Sequence, residues 1–155
     1  MASVQVGDPA PDVCLKTESG GELRLSDFRN DKVVVLFFYP KDNTAICTRE
    51  ACAFRDAYEQ FVEAGAVVIG VSADSAASHG AFAARHSLPF YLASDEDHAL
   101  RRAFGVPKTF GLLPGRVTYV IDKAGIVRLV FSAQLTAERH VRESLQIVRR
   151  LMGAT

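Results

Sequence analysis

The sequence predicts an α/β fold in which a mixed central sheet is flanked by helices and carries a β-hairpin at its N-terminal end. Two near-continuous runs of β-branched and aromatic residues, Lys32 to Tyr39 and Val67 to Ser72, are typical of strands buried on both faces of a sheet. Segments with helical spacing of apolar residues alternate with these runs, and a hairpin and a closing helix follow. This order of elements predicts a sheet covered on both sides.

The individual elements follow from local patterns along the chain. Strands are predicted at 12–17, 22–25, 32–39, 67–72, 89–93, 117–122 and 126–131. The first two strands flank the Gly20-Gly21 turn and the last two flank residues 123–125, so each pair is predicted to form a hairpin. A helical turn or loop starts at Ser26, and helices are predicted from 45 or 46 to 64, at 75–86, 97–104 and 136–151.

Glycine and apolar spacing support the two longest helices. Gly65 lies just past the first of them, where a helix commonly ends. The last helix is amphipathic, with Val141, Leu145, Val148 and Leu151 on one face. The order of elements resembles the thioredoxin-like fold, and in such sheets binding sites form beyond the carboxyl ends of the strands.

Composition narrows the class of protein. A chain of 155 residues without a linker predicts one domain, residues 1–155. A net charge of zero gives no basic excess for a nucleic-acid or anionic-membrane partner. The longest apolar run, 33–39, is far shorter than the roughly 20 residues of a membrane helix, and the first residues show no signal-peptide pattern, so we expect an unexported protein.

The three cysteines indicate reactive thiols. Their odd number and irregular spacing argue against a secreted disulfide framework and for a reducing compartment. Cys47 is placed where a helix begins, and both the helix dipole and the unpaired backbone N–H groups there favour thiolate over thiol. Cys52 follows five residues later in the same helical segment, which suggests a nucleophile with a resolving partner. Cys14 is expected to pack as a small hydrophobe in its strand.

Pro40, Thr44 and Cys47 form the pattern P-x-x-x-T-x-x-C, which resembles the active-site signature of the peroxiredoxins. Similarity to the bacterioferritin-comigratory, or peroxiredoxin Q, subfamily extends over nearly the whole chain. The segments that carry it include 51–56, 78–79, 81–83, 88–90, 110–111 and 120–123. Members of the family carry Pro-Gly where this chain has Ala45-Ile46, and β-branched Ile46 resists the positive φ that glycine allows.

The four histidines show no ligand spacing with the cysteines and no glycine-rich phosphate loop follows a strand, so we expect neither a metal nor a cofactor. The resemblance implies a thiol peroxidase that reduces hydrogen peroxide and organic hydroperoxides. Cys47 would be the nucleophile, Cys52 the resolving cysteine, and Thr44 the hydroxyl that binds sulfur and peroxide. Pro40 would shield the site, and Arg116, after Pro-Gly, would hold the thiolate and polarise the peroxide. The resemblance further implies reduction by thioredoxin or a glutaredoxin-like dithiol, and a monomer that is cytoplasmic in a bacterium or the mature form of an organellar protein.

Each site residue also has a structural alternative. Cys47 or Cys52 could be an inert core cysteine, Thr44 a helix cap, Pro40 a strand terminator and Arg116 a solvated charge. Glu50 would either orient an arginine or lie exposed on the helix. A general thiol-disulfide oxidoreductase, which usually carries the C-x-x-C motif that is absent here, and a non-enzymatic peroxide sensor remain alternative functions.

Helix geometry constrains the pairing of the cysteines. Five residues apart in an ideal helix, the Cα atoms of Cys47 and Cys52 would be roughly 8–9 Å apart. A disulfide tolerates only about 4.4–6.8 Å between the Cα atoms. A resolving role for Cys52 therefore requires this helix to unwind locally.

Overall fold

The computed structural model describes residues 3–106, 108–109, 113–114, 116–133 and 137–153. Its strands are β1 (Cys14–Thr17), β2 (Glu22–Arg24), β3 (Val33–Phe38), β4 (Ala66–Ser72), β5 (Tyr91–Ser94), β6 (Lys108–Thr109), β7 (Leu113–Pro114), β8 (Val117–Ile121) and β9 (Val127–Ser132). Its α-helices are α1 (Ala45–Asp56), α2 (Tyr58–Glu63), α3 (Ala76–His86), α4 (Ala99–Phe104) and α5 (Ala137–Gly153), and a short 3-10 helix spans Leu25–Phe28.

Seven strands form one mixed sheet in the order β2-β1-β5-β4-β3-β8-β9. The pairs β3–β4 and β4–β5 are parallel, whereas β8 runs antiparallel to β3. Both predicted hairpins, β1–β2 and β8–β9, are present. The carboxyl ends of β3, β4 and β5 and the start of β8 therefore lie at the same edge of the sheet.

Alternate residues of the central strand face two apolar layers. Val33, Val35, Phe37 and Tyr39 pack with side chains from α1, α2, α3 and α5. The intervening Val34, Leu36 and Phe38 pack with α4 and with β8. All six residues of β3 are buried, as its sequence predicts for a strand covered on both faces. None of the helices in the described part of the chain has the length and apolar character needed to cross a membrane.

The structure corrects the prediction of one helix up to residue 64. α1 ends at Asp56, Ala57 has φ −97° and ψ 1°, and α2 begins at Tyr58. The ring centroids of Phe54 and Phe61 are 5.7 Å apart, closer than the roughly 10 Å of axial rise that separates such residues in a straight helix. The break thus brings both rings into one core, and no Gly or Pro in the sequence signals it.

The expectation that Cys14 packs inside is wrong. Leu15 and Thr17 are the buried residues of β1, and because side chains alternate along a strand, Cys14 is exposed. Its Sγ lies 3.6 Å from Glu22 Oε2. Partial desolvation and the Glu22 carboxylate raise the pKa of Cys14, so it is a weak nucleophile.

Smaller differences concern element ends. The pair β6–β7 was not predicted, and β1, β5 and α4 begin two residues later than expected. The predicted start of the last helix, Thr136, lies outside the described residues. Ile46 adopts a helical conformation in α1 and has no positive φ, so the substitution at Ala45-Ile46 fits a regular helix start.

Candidate active site

Cys47 lies in the first turn of α1. β3 ends at Phe38, Pro40 follows, and Thr44 is the N-cap residue with an extended backbone (φ −87°, ψ 153°). The backbone N–H of Thr48 bonds to the carbonyl of Thr44, the first bond of the helix. The N–H groups of the residues before Thr48 therefore have no partner within the helix, and this end favours an anion.

Arg116 reaches the same point from another strand. It directly precedes β8, whose first residue, Val117, pairs with Phe38 at the carboxyl end of β3. Its Nη2 donates to Cys47 Sγ at 3.1 Å and its Nη1 donates to Glu50 Oε1 at 2.7 Å. The structure thus brings the predicted nucleophile and the predicted cation into contact, and Arg116 is not a solvated charge.

Glu50 was expected either to orient an arginine or to lie exposed on the helix. It is fully buried and its carboxylate contacts Arg116, so it orients the arginine. Burial opposes the charge of Arg116, but Glu50 and Cys47 outweigh it and raise the pKa of Arg116 above its usual value. For Glu50, burial dominates over the opposing effect of Arg116 and raises the pKa to about 7. The carboxyl is therefore poised to carry a proton near neutral pH.

His140, on α5, is buried on the other side of Glu50. Its Nε2 lies 2.7 Å from the carbonyl oxygen of Ala133, and its Nδ1 lies 2.8 Å from Thr118 Oγ1 and 3.4 Å from Glu50 Oε2. Burial lowers the pKa of His140 to about 4; the bond to Ala133 opposes this, and the charges of Arg116 and Arg139 add to it. The imidazole is thus neutral at physiological pH.

Thr44 and Pro40 occupy the loop that leads into α1. The single hydroxyl hydrogen of Thr44 is directed at the carbonyl oxygen of Lys41, 3.0 Å away, while the side chain is exposed to solvent. Pro40 is half-buried directly after β3. The sulfur of Cys47 is less open than expected, because the residue is 1% exposed.

Cys52 lies five residues further along the same unbroken helix, and both cysteines are reduced. Because α1 is regular between them, the helical separation of roughly 8–9 Å between their Cα atoms applies. Cys52 is partly buried, which leaves it reachable once the helix opens.

Sequence reasoning missed the polar groups that hold this loop. Arg101, on α4, donates from Nη2 to the carbonyl oxygen of Tyr39 at 2.7 Å. The Tyr39 hydroxyl donates to Asp42 Oδ1 at 2.6 Å, and Asp42 Oδ2 lies 2.8 Å from His79 Nδ1. Both ends of the Tyr39–Asp42 segment are therefore fixed by buried partners.

The sequence does contain a signal for two of the buried polar residues, Arg101 and His140. Arg101 lies between Leu100 and Phe104 on the buried face of α4, and His140 lies on the face of α5 that carries the apolar residues. A charged or polar residue within an apolar stripe is rarely buried without a partner.

Asp42, Asp74 and His79 place possible ligand atoms within 4.8 Å of one another. These atoms are engaged within the protein: Asp74 Oδ2 accepts from the backbone N–H of Asp42 at 2.8 Å and from Ser72 Oγ at 2.6 Å. His79 Nε2 lies 3.1 Å from the carbonyl oxygen of Ala93. The cluster therefore forms a hydrogen-bond network that supports the loop.

Comparisons with known proteins identify the family of this chain. The sequence model described as AhpC/TSA family matches residues 6–130. Peroxiredoxin Q, chloroplastic, from Sedum lineare is 49% identical over 152 residues, which cover 97% of this chain and 81% of that protein.

Two solved structures are also similar over nearly their full length. Peroxidoxin BcpB from Mycobacterium tuberculosis superimposes with a TM-score of 0.87 at 35% identity, covering 95% of this chain and 97% of that one. Bacterioferritin comigratory protein from Xanthomonas campestris superimposes with a TM-score of 0.84 at 30% identity, covering 98% and 99%. Because the family model matches most of the chain and these relatives are 30–49% identical over nearly all of it, the chain belongs to the AhpC/TSA family and is a thiol-dependent peroxidase of thioredoxin-like fold.

Proposed function

We propose that Cys47 is the residue that reduces the hydroperoxide. Its thiolate attacks one peroxide oxygen, the O–O bond breaks, and the departing alkoxide or hydroxide takes up a proton and leaves as alcohol or water. Cys47 becomes a sulfenic acid. The single observation that carries this assignment is the contact of 3.1 Å from the Arg116 guanidinium to a sulfur in the first turn of α1.

Arg116 has donors in a fixed fork, so it can hold the thiolate and the developing negative charge on the peroxide at once. Thr44 is the N-cap residue of α1 but makes no side-chain capping bond, so its hydroxyl can turn from the Lys41 carbonyl to an incoming peroxide. Pro40 fixes the entering loop and limits water at the sulfur. In this proposal Arg116 and Thr44 bind and polarise the substrate, and Pro40 shields the site.

Cys52 is the resolving cysteine in this proposal. Its thiol condenses with the Cys47 sulfenic acid, which releases water and forms an intramolecular disulfide. Thioredoxin or a glutaredoxin-like dithiol then reduces the disulfide and restores both thiols. The partial burial of Cys52 and its place in the same helix as Cys47 support this role, whereas Cys14 is remote in sequence and has a raised pKa.

We further propose that the substrates are hydrogen peroxide and organic hydroperoxides and that the protein acts as a monomer with one domain, residues 1–155, without a cofactor. The structure of the Xanthomonas campestris protein is described in terms of alkyl peroxide reduction activity, which supports the organic substrates. A reducing compartment, the cytoplasm of a bacterium or the interior of an organelle in the mature form, suits free thiols. Relatives named as chloroplastic support the organellar case.

A coupled assay tests the function. Protein is mixed with NADPH, thioredoxin reductase and thioredoxin, and NADPH oxidation is followed after addition of hydrogen peroxide or cumene hydroperoxide. We expect many turnovers per protein, loss of turnover in Cys47→Ser, and unchanged turnover in the matched control Cys14→Ser. A single stoichiometric reaction with peroxide would indicate a sensor. Reduction of insulin disulfides without peroxide consumption would indicate a general oxidoreductase.

A further inference from the structure

The buried contact between Glu50 and His140 has no assigned role in peroxide reduction. Both side chains are fully buried, and the distance from His140 Nδ1 to Glu50 Oε2 is 3.4 Å. Oε2 has no hydrogen-bond partner among the residues that the structure describes, whereas Oε1 accepts from Arg116. A buried carboxylate oxygen without a donor is costly, so the state of its proton matters.

Geometry determines the protonation of one of the two ring nitrogens of His140. The carbonyl oxygen of Ala133 can only accept, so His140 Nε2, at 2.7 Å, carries a hydrogen. Three arrangements then remain: an imidazolium facing an ionised Glu50, a neutral His140 facing an ionised Glu50, and a neutral His140 facing a Glu50 that is protonated on Oε2. In the last two, the single lone pair of Nδ1 accepts from the Thr118 hydroxyl.

Burial and neighbouring charge favour the third arrangement. An ion pair would place two charges in a fully buried site, and a contact of 3.4 Å without hydrogen-bond geometry does not repay their desolvation. Arg116 and Arg139 also oppose a positive charge on His140. An ionised Oε2 would face the Nδ1 lone pair without any donor, whereas a proton on Oε2 turns this repulsive contact of 3.4 Å into a weak attractive one.

We propose that Glu50 and His140 form a neutral pair that holds one proton on Glu50, and that His140 is a positioning residue that keeps this proton in place so that the charge of Arg116 acts on Cys47. An ionised Glu50, 2.7 Å from Arg116 Nη1, would compete with the thiolate for the same guanidinium. The kinetic part of this inference rests on the proposed function, but the protonation state does not.

The groups that face the pair come from four parts of the fold. Glu50 on α1 faces Arg116 and His140; His140 on α5 faces Thr118 on β8 and the ring of Phe131 on β9, whose centroid is 4.8 Å away. The guanidinium of Arg139, next to His140 in sequence, lies over the same Phe131 ring, 5.1 Å from its centroid. The pKa of Glu50, raised to about 7, and that of His140, lowered to about 4, agree with a single proton on the carboxyl.

Nitrogen NMR of the histidine rings in the reduced protein tests the protonation state directly. At about pH 5.5, where an ordinary histidine is mostly an imidazolium, His140 should show one protonated and one bare ring nitrogen. A histidine in a short unfolded peptide, measured at the same pH, should show two protonated nitrogens and serves as the control. An imidazolium at His140 overturns the proposal even if the peroxidase assay succeeds.

Glu50→Gln tests the consequence for catalysis. Glutamine has the shape of the protonated acid: its oxygen can accept from Arg116 and its N–H can donate to His140. At about pH 6 the rate constant for peroxide should therefore stay within roughly threefold of the unmodified protein, whereas a required anion would make the loss about 10²-fold, the usual effect of removing an electrostatic group. That loss would overturn the proposal. Above about pH 8, the variant should become the faster enzyme, because it cannot acquire the competing charge.

Variants at position 140 test the positioning role. His140→Leu removes the acceptor for the Glu50 proton, so the alkaline decline in rate should move to lower pH. His140→Gln, which restores an acceptor, should move it back. His98→Asn is the matched control, because asparagine tolerates the left-handed backbone at this position (φ 61°). If the rate of peroxide reduction falls at the same alkaline pH in all three variants, His140 has no positioning role.

Discussion

Formation of the Cys47–Cys52 disulfide should unwind the first turns of α1. The helix is unbroken from Ala45 to Asp56, so the Cα atoms start roughly 8–9 Å apart. A disulfide permits at most about 6.8 Å, and the chain between the two residues must therefore close by roughly 2 Å or more. No change of side-chain rotamer achieves this, because the distance is set by the backbone.

The C-terminal limit of the opening follows from packing. Phe54 is fully buried and its ring stacks on Phe37, with centroids 4.5 Å apart. Burial of a phenylalanine contributes about 1.5–3 kcal/mol, so we expect Phe54 to stay anchored while residues 45–53 open. Ala51 would lose its buried position and its backbone bonds would pass to water.

Hydrogen exchange measured by mass spectrometry tests this. Peptides that cover residues 45–53 should exchange faster after one equivalent of peroxide than in the reduced protein, and peptides from β3 and β4 should not change. Cys52→Ser, treated identically, cannot form the disulfide and should keep its protection. If mass spectrometry confirms the Cys47–Cys52 bond and exchange across 45–53 is nevertheless unchanged, the unwinding argument is refuted.

Three further predictions concern the site. In rapid mixing with peroxide, Cys47→Ser should show no sulfenic acid, whereas Cys52→Ser should complete one fast turnover and then stall or over-oxidise; equal loss in both would reverse the assignment. Arg116→Ala should slow peroxide reduction about 10²–10³-fold and also slow iodoacetamide labelling of Cys47, with partial recovery in Arg116→Lys; unchanged labelling and rate would place Arg116 outside the reaction. Glu50→Gln should make the free energy of unfolding rise by about 1.4 kcal/mol per pH unit relative to the unmodified protein from about pH 5 to 6.5. In the unmodified protein the pKa of Glu50 rises from 4.5 to about 7 on folding, so Glu50 removes stability as pH rises through this window, while the pKa of His140 falls from 6.5 to about 4 and adds stability over the same window. Glutamine removes only the effect of Glu50; denaturant titrations with parallel pH dependence in both proteins would contradict this.

The sequence predicted the backbone of the site because its signals are local. Apolar runs mark buried strands, and the P-x-x-x-T-x-x-C pattern places Cys47 in the first turn of a helix. The contact of Cys47 with Arg116 also follows from the topology, since β8 runs antiparallel to β3 and starts where β3 ends. From the sequence alone, however, the prediction that Arg116 lies near Cys47 rested on family resemblance.

The groups that surround the site could not be predicted in this way. Glu50 contacts His140 across 90 residues of sequence, and the pairing depends on how α1 packs on α5. Local patterns record which residues share a helix face but not which face of another helix they meet. For the same reason, the break at Ala57 and the exposure of Cys14 emerged only when the packing of the whole chain was known.

The position of Glu50 couples the redox state of the cysteines to a proton. It lies between Cys47 and Cys52, so the unwinding that joins them must also withdraw Glu50 from Arg116 and His140. In water its pKa returns from about 7 towards the ordinary value of 4.5, and at an intermediate pH it gives up its proton.

The proton released by Glu50 should be countable. A thiolate and a thiol that react with one hydroperoxide to give a disulfide, an alcohol and water consume one proton. At about pH 6 the proton from Glu50 should offset most of this uptake, so the net uptake should be close to zero in the unmodified protein and close to one in Glu50→Gln. A pH-indicator dye in weakly buffered solution measures both after one equivalent of peroxide. Since His140 and the cysteines are common to the two proteins, equal uptake would mean either that Glu50 is already ionised in the reduced protein or that it stays buried when the disulfide forms, and the hydrogen-exchange result for residues 45–53 separates these two explanations.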